Sequence, residues 1–559
     1  MMSRLLVKKA PLWGLFCALL FLSPLLSAAT PGAAAIATAH PLATEAGHAI
    51  LKRGGNAFDA AVAVSAVLAV VEPYSSGLGG GGFWLLHRAS DGFETMVDGR
   101  ERAPMAAHRD LYLDKKGEVI PGLSINGPLA AGIPGEPAAL AHISEHYGRL
   151  PLSDVLVPAI RIAESGFPVE SHYLRMATWR LETLQGWKDS SAIFLHQGEL
   201  PAEGAVIRQP ELAETLKQLA EKGADGFYRG DLAKRLVDGV REAGGIWTLD
   251  DLAEYRVKER VPVNGSFMGL KITSAPPPSS GGIALITMLN ILQGFNLPSL
   301  DEPQRTHVII EAMRRAYRDR ADYLGDPDYV DIPVEALTHP WYAAGLARDI
   351  QMDSASQSIG NVNHETGRDT THFSILDREG NRVAATLSIN YPFGSGFVVP
   401  GTGVLLNDEM DDFSASPGVP NVYGLVGAEA NAIAGGKRML SSMSPTFVED
   451  EQQLAVLGTP GGSRIITMVL LGILEMAEGN SPKQWVSRPR FHHQYLPDHI
   501  QFEPNAFSES LRKQLEKMGH RLKPLEHPYG NMQAVYWNKK TGQVDAASDP
   551  RGLGLAKIE

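Results

Sequence analysis

Thr370 stands where a side-chain hydroxyl can become an acyl acceptor. The polar stretch Ser354–Asp369 ends abruptly there, and two strand-like runs follow, Thr371–Asp377 (THFSILD) and Arg382–Asn390 (RVAATLSIN), flanking the turn Arg378-Glu379-Gly380-Asn381. If this hairpin closes around residue 379, antiparallel pairing sets position 370 opposite 388 and makes Thr370 and Ser388 neighbours. Two hydroxyls side by side at the first residue of a strand suit nucleophilic attack on a carbonyl, provided the segment before them is free to be cut away. On position alone Ser354–Asp369 reads as a surface linker, and the residues after it turn that reading. Further on, Gly461 and Gly462 precede a long apolar stretch, Ser463–Met476, that reads as a helix. Backbone amides at a helix N-terminus can stabilise an oxyanion with no side chain in the way, and a tight turn is the alternative use of the pair.

The elements that must position these groups fall into two textures. From Ala43 to about Asp349 the pattern is mostly helical. Asn56–Val71 (NAFDAAVAVSAVLAVV) is apolar almost all round, as a helix buried between layers would be. Glu136–Tyr147, Ser153–Glu164, Pro210–Lys222, Asp231–Glu242 and Pro303–Tyr323 read as amphipathic helices. Phe83–Arg88 and Phe93–Val97 form a candidate hairpin around Asp91-Gly92, and Val261–Thr273 a strand pair around Asn264-Gly265. Strands begin at Thr370.

Composition narrows the class. The chain has 559 residues, 44% of them hydrophobic and 20% charged, enough for a large core and too ordered a mixture for a disordered protein. A net charge of −12 argues against nucleic acid as a partner. Arg4, Lys8 and Lys9 precede the apolar run Pro11–Leu26 and the small residues Ser27-Ala28-Ala29, which reads as an export signal cut after Ala29. The run is shorter than the ~20 apolar residues of a membrane helix, so a stable membrane anchor is not expected. The only cysteine, Cys17, lies inside it, and the mature chain would hold no thiol for catalysis, metal binding or a disulfide. A periplasmic or secreted protein is expected.

Several longer segments carry a resemblance. Asp369-Thr370-Thr371-His372-Phe373-Ser374, Gly394-Ser395-Gly396, Leu406–Ser414 (LNDEMDDFS), Lys437–Pro445 (KRMLSSMSP) and Pro460-Gly461-Gly462-Ser463-Arg464 closely resemble the γ-glutamyltranspeptidase family of N-terminal nucleophile hydrolases. Upstream, Ser76–Phe83 (SGLGGGGF), Asp98–Pro104 (DGRERAP) and Pro276–Gly282 (PPPSSGG) are similar to its other segments, in the same order. The resemblance implies an α/β fold, a four-layer αββα sandwich built jointly by two subunits from one precursor. The divisions are a signal over 1–29, a large subunit over 30–369 and a small subunit over 370–559. It implies attack of the Thr370 hydroxyl on the Asp369 carbonyl, giving an ester that water hydrolyses. The freed α-amine, with a pKa of roughly 7.7 to 8, can then serve Thr370 as its base. Asn390 and Ser388 resemble the positions that contact this amine and hydroxyl; Ser388 stands where many members have threonine.

The family's substrate carries a free α-carboxylate and α-amine on its glutamyl end. The resemblance assigns the carboxylate to the planar fork of Arg100, helped by the Ser441 and Ser442 hydroxyls, and the ammonium to Asp412 and Glu409. Glu409 departs from members with glutamine and adds acidity. Away from the family, Arg100 reads as a surface ion pair with Glu101 and Asp412 as a cap or turn residue. Pro417–Gly427, with Tyr423 near its middle, resembles a lid over the glutamyl pocket and otherwise reads as a packed loop. The implied reaction moves a γ-glutamyl group from glutathione or another γ-glutamyl amide, through acyl-Thr370, to water, an amino acid or a short peptide, with no metal and no cofactor. The rivals are a glutaryl or cephalosporin-type acylase of the same family, and a periplasmic protein that binds γ-glutamyl peptides without cutting itself.

Three patterns are set aside. Gly77–Gly82 satisfies G-x-G-x-x-G, but a helix precedes it and a strand follows, the reverse of a dinucleotide site, so close backbone packing is expected. His492, His493 and His499 lack metal-ligand spacing, and Ser510–Lys513 matches S-x-x-K without its companion motifs.

Overall fold

The computed structural model describes residues 30–359, 370–414, 425 and 427–559. The proposed signal, the stretch 360–369 and Tyr423 lie outside the described residues. Two antiparallel sheets stack face to face with helices outside each, the αββα sandwich the resemblance implies. In spatial order the seven-stranded sheet is Leu555–Ile558, Ala35–Thr38, Thr371–Leu376, Arg382–Ser388, Gly81–Arg88, Phe93–Gly99 and Lys258–Arg260. The six-stranded sheet is Val544–Ser548, Gln533–Asn538, Gln453–Gly458, Thr446–Glu449, Leu270–Ser274 and Val263–Phe267.

Strand alternation divides the core between the layers. Ile36, Trp84, Leu86, Phe373, Ile375, Val383 and Ala385 face the helix layer that contains Ala57–Val71. Ala35, Ala37, Phe83, Leu85, Leu376 and Ala384 join the cluster shared with the second sheet, where Ile272, Phe447, Leu454 and Val456 meet them. The Ala57–Val71 helix is buried along its whole length. Its first amides are satisfied by the Asn56 side chain, which accepts from Phe58 and Asp59, while Ala57 N–H donates to Asp377 Oδ2 at 3.0 Å. On the far side, Gly281–Leu292 and Ile465–Ala477 cover the second sheet, and Glu302–Tyr323 packs over the former.

The expected hairpin forms in the expected register. Thr371 pairs with Leu387 and Leu376 with Arg382, so one step further sets Thr370 against Ser388. Three local expectations are corrected. Ser153–Glu164 is two helices, Leu152–Val155 and Val157–Ser165, because Pro158 has no N–H to continue the first. The strand pair near 265 turns at Met268-Gly269, whose φ values are 49° and 85°, and not at Asn264-Gly265. Gly265 is needed inside its strand, where an added Cβ would lie 2.8 Å from the Ile286 side chain. The stretch read as a helix from Ser463 opens with a 3₁₀ turn, Gly462–Arg464, before the α-helix Ile465–Ala477.

Candidate active site

Thr370 is buried at the head of a central strand and lines two cavities. The smaller, about 20 Å³, brings together most of the residues singled out from sequence: Arg100, Ser388, Asn390, Glu409, Asp412, Ser441, Ser442 and Gly462, with Leu425 and Met443 at its apolar side. The larger, about 430 Å³, lies at Gly461 and is walled by residues the sequence reading passed over, Glu72, His172 and Arg175 among them.

Backbone packing sets these positions. The glycine run pulls the chain tight against the nucleophile's neighbour strand: a Cβ on Gly80 would fall 2.2 Å from Ser388 O, and one on Gly79 would fall 1.9 Å from Leu405 O. This is the close approach expected for Gly77–Gly82. Ser388 Oγ accepts the Asn390 N–H at 2.7 Å, and Asn390 adopts φ 74° with its Nδ2 donating to Asp408 O at 3.0 Å. Asp408 Oδ1 also accepts from Tyr391 N–H, so one buried carboxyl pins the turn that carries Asn390. The loop with Ser441 and Ser442 is stitched to Pro276–Gly282: Ser441 N–H donates to Pro278 O, and Ser280 donates to Ser441 O through both its N–H and its hydroxyl.

Gly461 and Gly462 have φ values of 135° and 56°, conformations that favour glycine. Neither amide N–H has a hydrogen-bond acceptor among the described residues. Donors left open beside a hydroxyl are what an oxyanion requires, although they precede a 3₁₀ turn and not the α-helix expected.

Arg100 is fully buried and bears no likeness to a surface ion pair. Its Nη1 donates to Glu409 Oε2, its Nη2 donates to Asp412 Oδ2 at 2.5 Å, and Glu101 Oε2 stands 3.6 Å from Nη1. The groups expected at opposite ends of a zwitterion therefore hold one another in this state. One guanidinium faces three carboxyls. Burial pushes Glu409 up to about 7, with Arg100 opposing the rise and Asp412 adding to it. Burial also raises Asp412 and Glu101. Arg320, which sequence reading left among the charges of its helix, donates to Ser280 Oγ at 3.0 Å and Ser442 Oγ at 3.3 Å and adds a second buried cation. Such a site is short of positive charge, and an ammonium ion would supply it.

One cluster among the described residues has metal-ligand types close together, His307, Glu311 and His520. Glu311 is already held by Arg314 and Arg315, and the two imidazoles bond each other at 2.7 Å. His492 bonds Thr467 and Gln494, and His493 pairs with Asp498, so these histidines are satisfied in the core. Lys513 pairs with Glu509 on an exposed helix face.

A threonine at the head of a central strand in an αββα sandwich, with a second hydroxyl opposite and open amides beside it, defines an N-terminal nucleophile hydrolase. Comparison narrows the class. Residues 43–558 match the Gamma-glutamyltranspeptidase family. The "Glutathione hydrolase proenzyme" of Escherichia coli K12 is 42% identical, over 93% of this chain and 90% of its own. That of Pseudomonas sp. strain A14 is 44% identical, over 88% and 87%. Among solved structures, a cephalosporin acylase from Bacillus halodurans superposes with a TM-score of 0.83 at 29% identity, covering 99% of both chains. A γ-glutamyltranspeptidase chain from Helicobacter pylori gives 0.56 at 41% identity, covering 57% of this chain and 91% of its own. The chain belongs to the γ-glutamyltranspeptidase family.

Proposed function

We propose that this protein is a self-processing γ-glutamyltransferase and glutathione hydrolase whose nucleophile is Thr370. The observation that carries the reading is that Thr370 lines both the cavity at Gly461 and the one that holds Gly462 with the Arg100–Glu409–Asp412 network. Cleavage before Thr370 frees its α-amine, which takes the hydroxyl proton as Oγ attacks the γ-carbonyl of the donor. The glycine amides receive the oxyanion. The leaving amine departs with the proton, and an ester on Thr370 passes the γ-glutamyl group to water or to the amine of an amino acid or short peptide. The donor's α-carboxylate takes a share of Arg100 with Ser441 and Ser442, and its ammonium enters the acidic pair Glu409–Asp412. Ser388 and Asn390 orient the nucleophile.

The division falls at 30–369 and 370–559, after removal of 1–29, and the protein works in the periplasm or outside the cell. A chain of the size of a large subunit is what the partial cover by the H. pylori protein supports. No described helix is long and apolar enough to cross a membrane.

Purified wild type should run as two fragments of roughly 37 and 20 kDa in proportion to length. Thr370→Ala should remain one inactive chain; two fragments from that variant, or one chain from wild type, would remove the assignment. The likeness to an acylase favours a second reading, hydrolysis of a glutaryl amide. A glutaryl donor has no α-amine for Asp412 and Glu409, so a γ-glutamyl anilide should be turned over far faster than the glutaryl anilide. The reverse order would establish the acylase.

A further inference from the structure

Glu72 closes the Ala57–Val71 helix. Its N–H donates to Leu68 O, and its carbonyl accepts from Ser75 and Ser76, which places the side chain in a tight turn leading into the glycine run. It lines the 430 Å³ cavity together with Thr370 and Gly461, a cavity whose lining does not include the Arg100 network. Only 4% of its surface is exposed, and Oε2 has no hydrogen-bond partner among the described residues. Of the described residues lining that cavity it is the only carboxylic acid. A buried carboxyl is costly unless it has a use or a partner. The donor pocket provides neither, because it is walled by other residues.

Two of the cavity's three guanidinium groups are engaged. Arg464 donates to Gln501 and lies over the Tyr529 ring, and Arg551 pairs with Glu503 and Asp549. The third, Arg175, is exposed at the rim, where its Nη2 donates to His172 Nδ1, and it has no carboxylate partner among the described residues. A cavity with a buried acid beside Thr370, one of whose oxygens has no partner among the described residues, and at its rim an exposed guanidinium with no carboxylate partner there, matches a small molecule with an ammonium at one end and a carboxylate at the other.

We propose that this cavity takes the acceptor, an amino acid or short peptide, and that Glu72 is the base that removes a proton from its ammonium group. The proposal rests on the reading of Thr370 as the acyl carrier. The acceptor enters as R–NH₃⁺ and gives one proton to the Glu72 carboxylate. The neutral amine then attacks the ester carbonyl, forming the N–C bond. The C–Oγ bond to Thr370 breaks, and the second amine proton passes through the Thr370 α-amine to Oγ. Glu72 loses its proton to water after the product leaves. Water as acceptor carries no ammonium proton and has no such demand on Glu72, so the residue governs partition between transfer and hydrolysis.

The charged surroundings set its range. Burial is the main influence and raises the Glu72 pKa to about 7; the Thr371 and Tyr74 hydroxyls work against this, and the charge of Glu170 adds to it. His172, on the same wall, is driven down to about 4 by burial and by Arg175, so it is neutral where Glu72 titrates. His527, Arg464 and Arg551 complete the charged lining. Glu72 is a carboxylate, and so a base, above about pH 7 and is protonated below it.

The test is the ratio of γ-glutamyl-Gly-Gly to free glutamate formed from a γ-glutamyl anilide with Gly-Gly as acceptor, counted per anilide released so that differences in acylation cancel. In wild type the ratio should rise with an inflection near pH 7. Glu72→Gln should lower it about 10- to 100-fold at pH 8 and remove that inflection, and Glu72→Asp should restore part of it. Hydroxylamine, which is already neutral at pH 7, should lose far less, a difference that a merely structural role for Glu72 would not produce. A ratio within twofold of wild type, or an equal loss with both acceptors, would overturn the proposal. If Glu72→Gln fails to process, a wild-type ratio without the inflection overturns it just as well. Failure of wild type to release anilide at all would instead count against Thr370 as the acyl carrier.

Discussion

Glu409→Gln should make the protein more stable at alkaline pH, at a cost in donor binding. Glu409 is buried against Arg100 with Asp412 and Glu101 close by, and burial with the Asp412 charge raises its pKa from the ordinary 4.5 to about 7. The sign follows from linkage. A group raised in the folded state favours folding most below its unfolded pKa, and that contribution is lost as pH climbs through the folded value. Below pH 4.5 the carboxyl is neutral in both states, and glutamine mimics it. Between 4.5 and 7 the unfolded chain ionises first and draws the protein toward unfolding; above 7 the loss is complete. A displacement of this size is worth about 3 kcal/mol. For a chain of 559 residues, an unfolding entropy near 2 cal/mol/K per residue converts this to a melting shift of about 3 °C. Melting curves of wild type and Glu409→Gln at pH 5 and pH 8.5 should therefore diverge by about that much at the higher pH, with the variant higher, and lie closer at the lower. In the same variant one carboxylate of the ammonium site is gone, so the donor KM should rise at pH 8.5. Equal melting differences at the two pH values, or a less stable variant at pH 8.5, would show that the acidic excess around Arg100 is not real.

Two other substitutions address separate parts of the machinery. Arg100→Lys keeps the buried positive charge and removes the planar fork, so processing should survive while the donor KM rises about 10-fold or more, a charge-assisted bond being worth roughly 1.5–3 kcal/mol; unchanged kinetics with a γ-glutamyl anilide would sink the clamp. Gly461→Ala places a Cβ at φ 135° and 2.7 Å from Met468 Cε, which should displace the amide and lower kcat about 100-fold with a smaller change in KM. A kcat within threefold of wild type would exclude the Gly461 amide from the oxyanion site.

What could be read in the sequence follows from how local each signal is. The Thr370–Ser388 register came from counting outward from one turn, and a two-residue period leaves no freedom once the turn is placed. The Asn264-Gly265 signal misled for the same reason in reverse: a turn dipeptide is a local preference, and packing against Ile286 claimed that glycine for a strand interior. The composition of the cavity at Arg100 was legible only through long motifs, because Arg100, Ser388, Asp412 and Ser441 arrive from distant parts of the chain. Even so, the motifs name residues and not their pairing, and the bonding of Arg100 to Glu409 and Asp412 depends on a burial that no residue pattern reports. Glu72 is the clearest case. In sequence it is the polar residue that ends an apolar helix, an ordinary place for a charge in water. Only the fold takes that helix end inside and turns it toward Thr371, Tyr74 and the cavity at Thr370, which changes an unremarkable glutamate into a carboxyl poised near neutrality.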